Sequence, residues 1–286
     1  MDIDRESEIL EEQPEKKVYQ FGNYPNYYGY RNAFNNFEMD ERIKWLKDVV
    51  PFQGKRVLDI GCNSGFATLN IGKHLESSLV VGVDIDESLI VKATKSLKMD
   101  YSLQRPVLKE NLEDYSDEED FEHYFPMSCV IKYGSLPLTK PIVKAQKSEY
   151  PFNTKFITVD FLNDSHDLLK EPFDSINWDM ISLSLTKWIH LNWGDRGIIE
   201  LFKRVYNCLN PNGHFILEAQ PFSSYQSKAR ITQLTKDIYR SIQFKPEQFK
   251  EYLLSNGFRL IKTIQVPEGS LQTKGFKRPI WVYQKI

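Results

Sequence analysis

The stretch Val57–Gly65, VLDIGCNSG, constrains this chain more than any other. An apolar run, Arg56–Ile60, ends in Gly61, and Gly65 opens a helical pattern over Phe66–Leu75. Glycine lets a backbone turn sharply and approach a ligand, and the start of the helix that follows offers free N–H groups. A second apolar run, Val80–Val83, then ends in Asp84. A carboxylate at the end of the second strand can accept both ribose hydroxyls of a nucleoside. The spacing differs from the dinucleotide fingerprint GxGxxG, because Cys62, Asn63 and Ser64 separate the two glycines.

Strand and helix patterns keep alternating along the chain. Helical spacing covers Met39–Val50, residues 87–98 and Arg196–Leu209, and later Thr232–Ser241 and Pro246–Ser255. Apolar strand patterns cover Phe156–Phe161, residues 178–185, His214–Glu218, Arg259–Val266 and Pro279–Lys285. With the first two strands they predict an α/β, Rossmann-like fold: a mostly parallel seven-stranded sheet with helices on both faces. Residues 1–17 read as a disordered acidic N-terminus, and 18–286 as one domain. An insertion at about 100–155 interrupts the alternation with an acid run, several prolines and a Lys-rich tract.

The formal net charge of −2 conceals a strong segregation. Residues 1–17 carry a net −4 and residues 110–122 a net −8, so the remainder carries +10. Residues 223–286 alone hold twelve bases against four acids. A basic body suits a polyanionic partner, although Lys-rich helix faces can also be merely solvated. Cys62, Cys129 and Cys208 form neither a disulfide framework nor a metal-ligand spacing, which fits a reducing intracellular compartment and no metal. No apolar run is long enough to span a bilayer, and the acidic N-terminus is unlike a signal peptide.

The second informative stretch is Ser184–Asp195, SLTKWIHLNWGD. It sets a Lys, a His, an Asn and two Trp after an apolar run, Met180–Leu185, where ligands bind in an open α/β sheet. The sequence reads it as a loop, whose tryptophans either meet a ligand or pack downward.

DxGxxxG followed by an acid at the second strand end resembles the S-adenosylmethionine (SAM) site of Rossmann-like methyltransferases. With both motifs placed, the chain resembles the bicoid-interacting family of RNA methyltransferases. The likeness covers most of residues 19–286 and rests on FGNYPNYYGYRN, VLDIGCNSG, VGVDID, LSLTKWIHLNWGD, LEAQPFSSY, KPEQF and KGFKRPIWVY. It implies SAM-dependent methylation of a 5′-terminal phosphate of a small non-coding RNA. One branch of the family is similar to capping enzymes acting on the γ-phosphate of small nuclear RNAs, the other to enzymes acting on 5′-monophosphates such as that of a tRNA. The resemblance also implies a SAM shell of Tyr27, Arg42, Gly61, Asp84, Ile85, Asp160, Phe161 and Leu183, to which the glycine loop adds Cys62, Asn63 and Gly65. Asp160 departs from the family, where an Asn is expected, though an Asp can accept from an adenine amino group.

A phosphate oxygen is already anionic at neutral pH and needs no general base, so its site calls for donors and alignment. Lys187, Arg31, His190 and Asn192 are candidate donors, with Tyr27 beside the reacting groups. Trp188, Gln220, Ser223, Arg230, Lys274, Lys277 and Arg278 are candidate RNA contacts. His190 is equally open to a packed structural role, and Trp193 fits the core. A small RNA 5′ end is the implied partner, within or outside a ribonucleoprotein, for a monomer in the nucleus or cytoplasm. Two rivals stand beside this reading: a methyltransferase with a small-molecule or protein acceptor, and a SAM-binding RNA chaperone with little turnover.

Overall fold

The computed structural model describes residues 18–24, 26–31, 39–103, 126–138, 149–163, 178–183, 185–268 and 277–286. The acidic N-terminus 1–17, the acid run 110–122 and most of the predicted insertion lie outside the described residues.

Successive side chains of a strand point to opposite faces, and this period builds the core in two layers. In β1 (Arg56–Ile60), Val57 enters one layer while Leu58 and Ile60 enter the other. In β2 (Leu79–Asp84), Val80 opposes Val81 and Val83. The sheet is completed by β3 (Thr154–Thr158), β4 (Asp179–Leu183), β5 (His214–Glu218), β6 (Phe258–Ile264) and β7 (Ile280–Lys285). Its order is β3-β2-β1-β4-β5-β7-β6, seven strands among the described residues. The five strands from β3 to β5 pair in parallel, while β7 runs antiparallel to both β5 and β6. The strand order reverses between β1 and β4, which opens a crevice at the carboxyl ends of those strands.

On one face, α2 (Glu41–Leu46) and α3 (Phe66–His74) bury Ile43, Leu46, Ala67 and Ile71. On the other, α6 (Thr186–Cys208) and α8 (Phe249–Ser255) bury Ile198, Leu201, Phe202, Val205, Phe249 and Leu253. The helix α4 (Glu87–Ser102) lies beside β2 and β3, and α1 (Tyr27–Arg31) and α5 (Met127–Tyr133) are short helices. Short polar side chains start several helices, as free N–H groups require. Asp40 accepts from Arg42 N at 3.0 Å, and Asp86 from Ser88 N at 2.8 Å. Thr232 accepts from Thr235 N at 3.1 Å to open α7 (Gln233–Ser241).

Three departures from the sequence expectation bear on the site. The third strand ends at Thr158, before the predicted Phe161, because Val159 and Asp160 leave the sheet to line the crevice. The helix after β4 begins at Thr186, ten residues ahead of the predicted Arg196, so most of SLTKWIHLNWGD is helical. Gly194, with φ 64° and ψ −160°, kinks this helix at the point where the prediction would have started it. The end of the predicted insertion belongs to the fold. Buried Asn153 donates to Gly72 O at 3.0 Å and Ser77 O at 2.9 Å, and it hands the chain into β3.

One buried charge cluster joins the sheet to α2. Arg42 donates through Nε to Asp40 at 2.8 Å and through Nη1 to Glu218, at the end of β5, at 3.0 Å. Arg278, just before β7, donates through Nε to the other oxygen of Glu218 at 3.1 Å. Removing one member of a buried pair strands its partner in low dielectric, which typically costs about 3–5 kcal/mol. Arg42→Ala is therefore expected to lower stability by about that amount, read as a fall in the urea midpoint at unchanged m-value.

Candidate active site

The crevice at the switch point is a cavity walled from six parts of the chain. Gly61 and Asn63 from the turn after β1 form its base, with Asp59 at the end of that strand. Asp84 and Ile85 close one side, Asp160, Phe161 and Leu162 another, and Tyr27, Arg42, Leu185, Trp188 and Trp193 the remainder. Gly61 has φ 73°, a left-handed conformation, and a Cβ there would lie 2.9 Å from the Leu185 side chain. Only glycine lets the turn pass so close to the start of α6.

Asp84 is nearly buried, yet both oxygens are engaged on one side only by backbone: Oδ2 accepts from Asn63 N at 2.9 Å and Oδ1 from Asp86 N at 3.0 Å. Each oxygen keeps a lone pair for a vicinal diol such as a ribose. Burial raises its pKa, and the backbone donors pull it back down. Asp59 accepts from Thr68 Oγ1 at 2.6 Å, and burial pushes its carboxyl up to about 6. Asp160 Oδ1 accepts from Leu162 N at 3.0 Å, while Oδ2 accepts from Asn163 Nδ2 at 2.7 Å. Three carboxylates thus line the cavity. Its guanidinium, Arg42, is bonded to Asp40 and Glu218. This lining suits a ligand that carries net positive charge and an adenosine-like end, as S-adenosylmethionine does.

Lys187 stands at the rim, in the first turn of α6 and next to the cavity residues Leu185 and Trp188. Its Nζ lies 5.4 Å from the centroid of the Trp188 ring, and among the described residues no carboxylate pairs with it. Burial, then Arg278 and Lys228, bring its pKa down to about 8. Gln220 Oε1 faces the backbone N–H of Lys187 and the hydroxyl of Thr186, each at 3.3 Å, and so steadies the start of the helix.

Several predicted residues prove to have structural partners. His190 is fully buried and its Nε2 meets Asp195 at 2.9 Å, so it cannot donate to a substrate in this arrangement. Burial lowers its pKa, against the opposing pull of Asp195. Asn192 donates to Gln20 O at 3.0 Å and Trp188 O at 2.9 Å, and accepts from Gln20 Nε2 at 2.8 Å. Trp188 is 8% exposed, with Tyr24 edge-on at 5.8 Å, and its ring forms cavity wall with no face open for a base. Gln220 and Arg278 are buried, the latter on Glu218, and neither presents itself to RNA. Cys62 and Gly65 shape the turn without lining the cavity. Ser223, Arg230 and Lys277 are exposed. Lys274 and the side chains of Arg31 and Leu183 lie outside the described residues.

Sequence reasoning missed Asp59, Phe21, Gly22 and Asn23; Trp193 packs against the core as expected, but it has a second role. Trp193 lines the cavity, stacked on Phe21 at 5.7 Å. Gly22 has φ 73°, and a Cβ there would fall 2.1 Å from the Trp188 ring. The aromatic segment Tyr19–Tyr24 thus reaches the site because a glycine permits contact with α6. The glycine in FGN was the available signal.

The family described as Bicoid-interacting protein 3 (Bin3) matches residues 178–285, and the family described as Protein-L-isoaspartate(D-aspartate) O-methyltransferase (PCMT) matches residues 2–109. The chain is 37% identical over 273 residues to a probable RNA methyltransferase of Arabidopsis thaliana, covering 94% of this chain and 82% of that protein. It is 36% identical over 283 residues to the 7SK snRNA methylphosphate capping enzyme of Homo sapiens, covering 95% of this chain but 40% of that protein. It is 32% identical over 270 residues to the U6 snRNA methylphosphate capping enzyme Amus of Drosophila melanogaster, covering 93% of this chain and 75% of that protein.

Asp84→Ala is expected to weaken binding of S-adenosylhomocysteine by about 1.5–3 kcal/mol, the usual value of hydrogen bonds to a charged group. Calorimetry on the folded variant checks it; wild-type affinity would remove Asp84 from the site.

Proposed function

The chain belongs to the Bicoid-interacting protein 3 (Bin3) family, and from that membership and the geometry above we propose that it is a SAM-dependent methyltransferase acting on the 5′-terminal phosphate of a small non-coding RNA. One observation carries the reading. An acid-lined cavity suited to a cationic nucleoside opens beside Lys187, a half-buried ammonium with no carboxylate partner among the described residues. A cation left in that state at the mouth of such a cavity is placed for an anionic acceptor. The names of the relatives, snRNA methylphosphate capping enzymes among them, supply the class of acceptor. The same reading favours the nucleus over the cytoplasm and a monomer that meets its RNA within or outside a ribonucleoprotein.

Tyr27, Gly61, Asn63, Asp84, Ile85, Asp160 and Phe161 would hold SAM, all of them lining the cavity. When bound, SAM supplies a methyl group activated by attachment to a sulfonium. Arg42 contributes by bracing the wall through Asp40 and Glu218, and Asp84 by receiving the ribose diol. The acceptor phosphate brings its own negative charge, so no side chain has to remove a proton. His190, neutral and turned into the core, is consistent with that. Lys187 binds a non-reacting oxygen of the phosphate, since an ammonium on the attacking oxygen would lower its nucleophilicity. Alignment then does most of the catalytic work, and such positioning contributes roughly 7–11 kcal/mol in favourable cases.

Two outcomes test this reading. One RNA carrying a 5′-triphosphate, a 5′-monophosphate or a 5′-hydroxyl is offered with methyl-labelled SAM. A phosphorylated form is expected to be labelled and the 5′-hydroxyl form to stay unlabelled; equal labelling of all three would redirect the reaction to an internal base or ribose. The second outcome concerns pH. Lys187 is charged below about 8 and loses its proton as pH rises through that value, so kcat/KM is expected to fall on the alkaline side. Lys187→Arg keeps the charge and should carry that limb beyond the measurable range, whereas Lys187→Met should flatten the profile at a low rate.

A further inference from the structure

We propose that Lys228 is a second phosphate ligand of the acceptor, acting together with Lys187 across the rim of the cavity; this rests on the reading of the site as an RNA 5′-phosphate methyltransferase.

The two lysines come from different elements. Lys187 lies in the first turn of α6, and Lys228 in the turns that follow the 3-10 segment Phe222–Ser224. They meet on one aromatic pair. Lys187 Nζ stands 5.4 Å from the Trp188 centroid, and Lys228 Nζ stands 5.0 Å from that of Tyr24. The two rings touch edge to face at 5.8 Å, and Tyr24 is tied to the cofactor turn, its carbonyl accepting from Asn63 Nδ2 at 3.2 Å. The pair of ammoniums therefore flanks the Trp188 wall of the cavity.

The electrostatics of this corner are unbalanced. A ring face attracts a cation but carries no net charge to neutralise it. Among the described residues neither Lys187 nor Lys228 has a carboxylate partner. The buried acid nearby, Glu218, receives both Arg42 and Arg278. Arg278 and Lys228 both disfavour the proton on Lys187, as like charges close together must. Neighbouring cations held in place by packing, without an internal counter-charge, are relieved by a ligand that presents more than one negative group. An RNA 5′ end offers such groups in two ways. The second can be the next phosphate of a 5′-polyphosphate or the first internucleotide phosphate.

The experiment uses Lys228→Gln and Lys228→Arg in the whole protein, with one RNA in 5′-triphosphate and 5′-monophosphate forms. Lys228→Gln is expected to lower kcat/KM roughly ten- to a hundred-fold, the range for a lost hydrogen bond between charged groups. S-adenosylhomocysteine affinity should be unchanged, and Lys228→Arg should recover most of the rate. A loss confined to the triphosphate RNA assigns Lys228 to the polyphosphate, and an equal loss on both forms assigns it to the internucleotide phosphate. A second readout separates this from a packing role. Removing one like charge lets Lys187 keep its proton longer, so the alkaline limb should move to higher pH in Lys228→Gln. Unchanged kcat/KM on both RNAs with an unmoved limb overturns the proposal and leaves methyl transfer intact. A wild-type protein that labels neither RNA removes the underlying reading instead.

Discussion

The site depends on a buried chain of charge running Asp40–Arg42–Glu218–Arg278. A guanidinium 1% exposed is stable only if its donors are met, and here two carboxylates from separate elements meet them. The consequence is geometric. The start of α2, the end of β5 and the approach to β7 are fixed with respect to one another at the rim of the sheet where the cavity opens. Hydrophobic packing alone would tolerate sliding of α2 over the sheet, because Ile43 and Leu46 meet a broad apolar surface. Arg42 has a directional fork of donors, and a directional fork does not slide.

Around this brace the potential changes sign over a short span. The floor and sides of the cavity present Asp59, Asp84 and Asp160, and the rim presents Lys187 and Lys228. Such a division favours two reactants of opposite charge, each in its own compartment. An acid-lined cavity attracts a positively charged methyl donor more strongly than the demethylated product, so the same carboxylates aid both loading and release. On the proposed function, the basic rim would keep a polyanionic acceptor outside while bringing its terminal group to the opening.

Much of this could be seen in the chain before any fold was known. Gly61, Gly65 and Asp84 were legible because a strand, a turn and a second strand end leave a local signature, and each constrains its residue through backbone geometry. The start of α6 was misread as loop because its polar and aromatic residues suggested exposure. Its period was nonetheless present: Thr186, Ile189, His190 and Trp193 recur at helical spacing, and the first three are buried. The roles of His190 and Asn192 could not be read at all. Asp195 reaches His190 only because Gly194 breaks the helix, and the partner of Asn192 is Gln20, 172 residues away in sequence. Arg42 was legible as a site residue but not as a brace, since Glu218 joins it only through the sheet.

The Gln20–Asn192 tie has a consequence for the order of events as the chain folds. Closing a contact between such distant points is slow, because the loop entropy must be met before the contact returns any stabilisation. The β1 turn and Asp84 can assemble early, from neighbours in sequence, but the wall built by Phe21 and Gly22 cannot stand until α6 is in place. The wall of the cofactor cavity thus exists only in the completed topology. Competence to hold a methyl donor therefore requires the native topology, and a chain with only its central strands paired would lack the wall that closes the cavity.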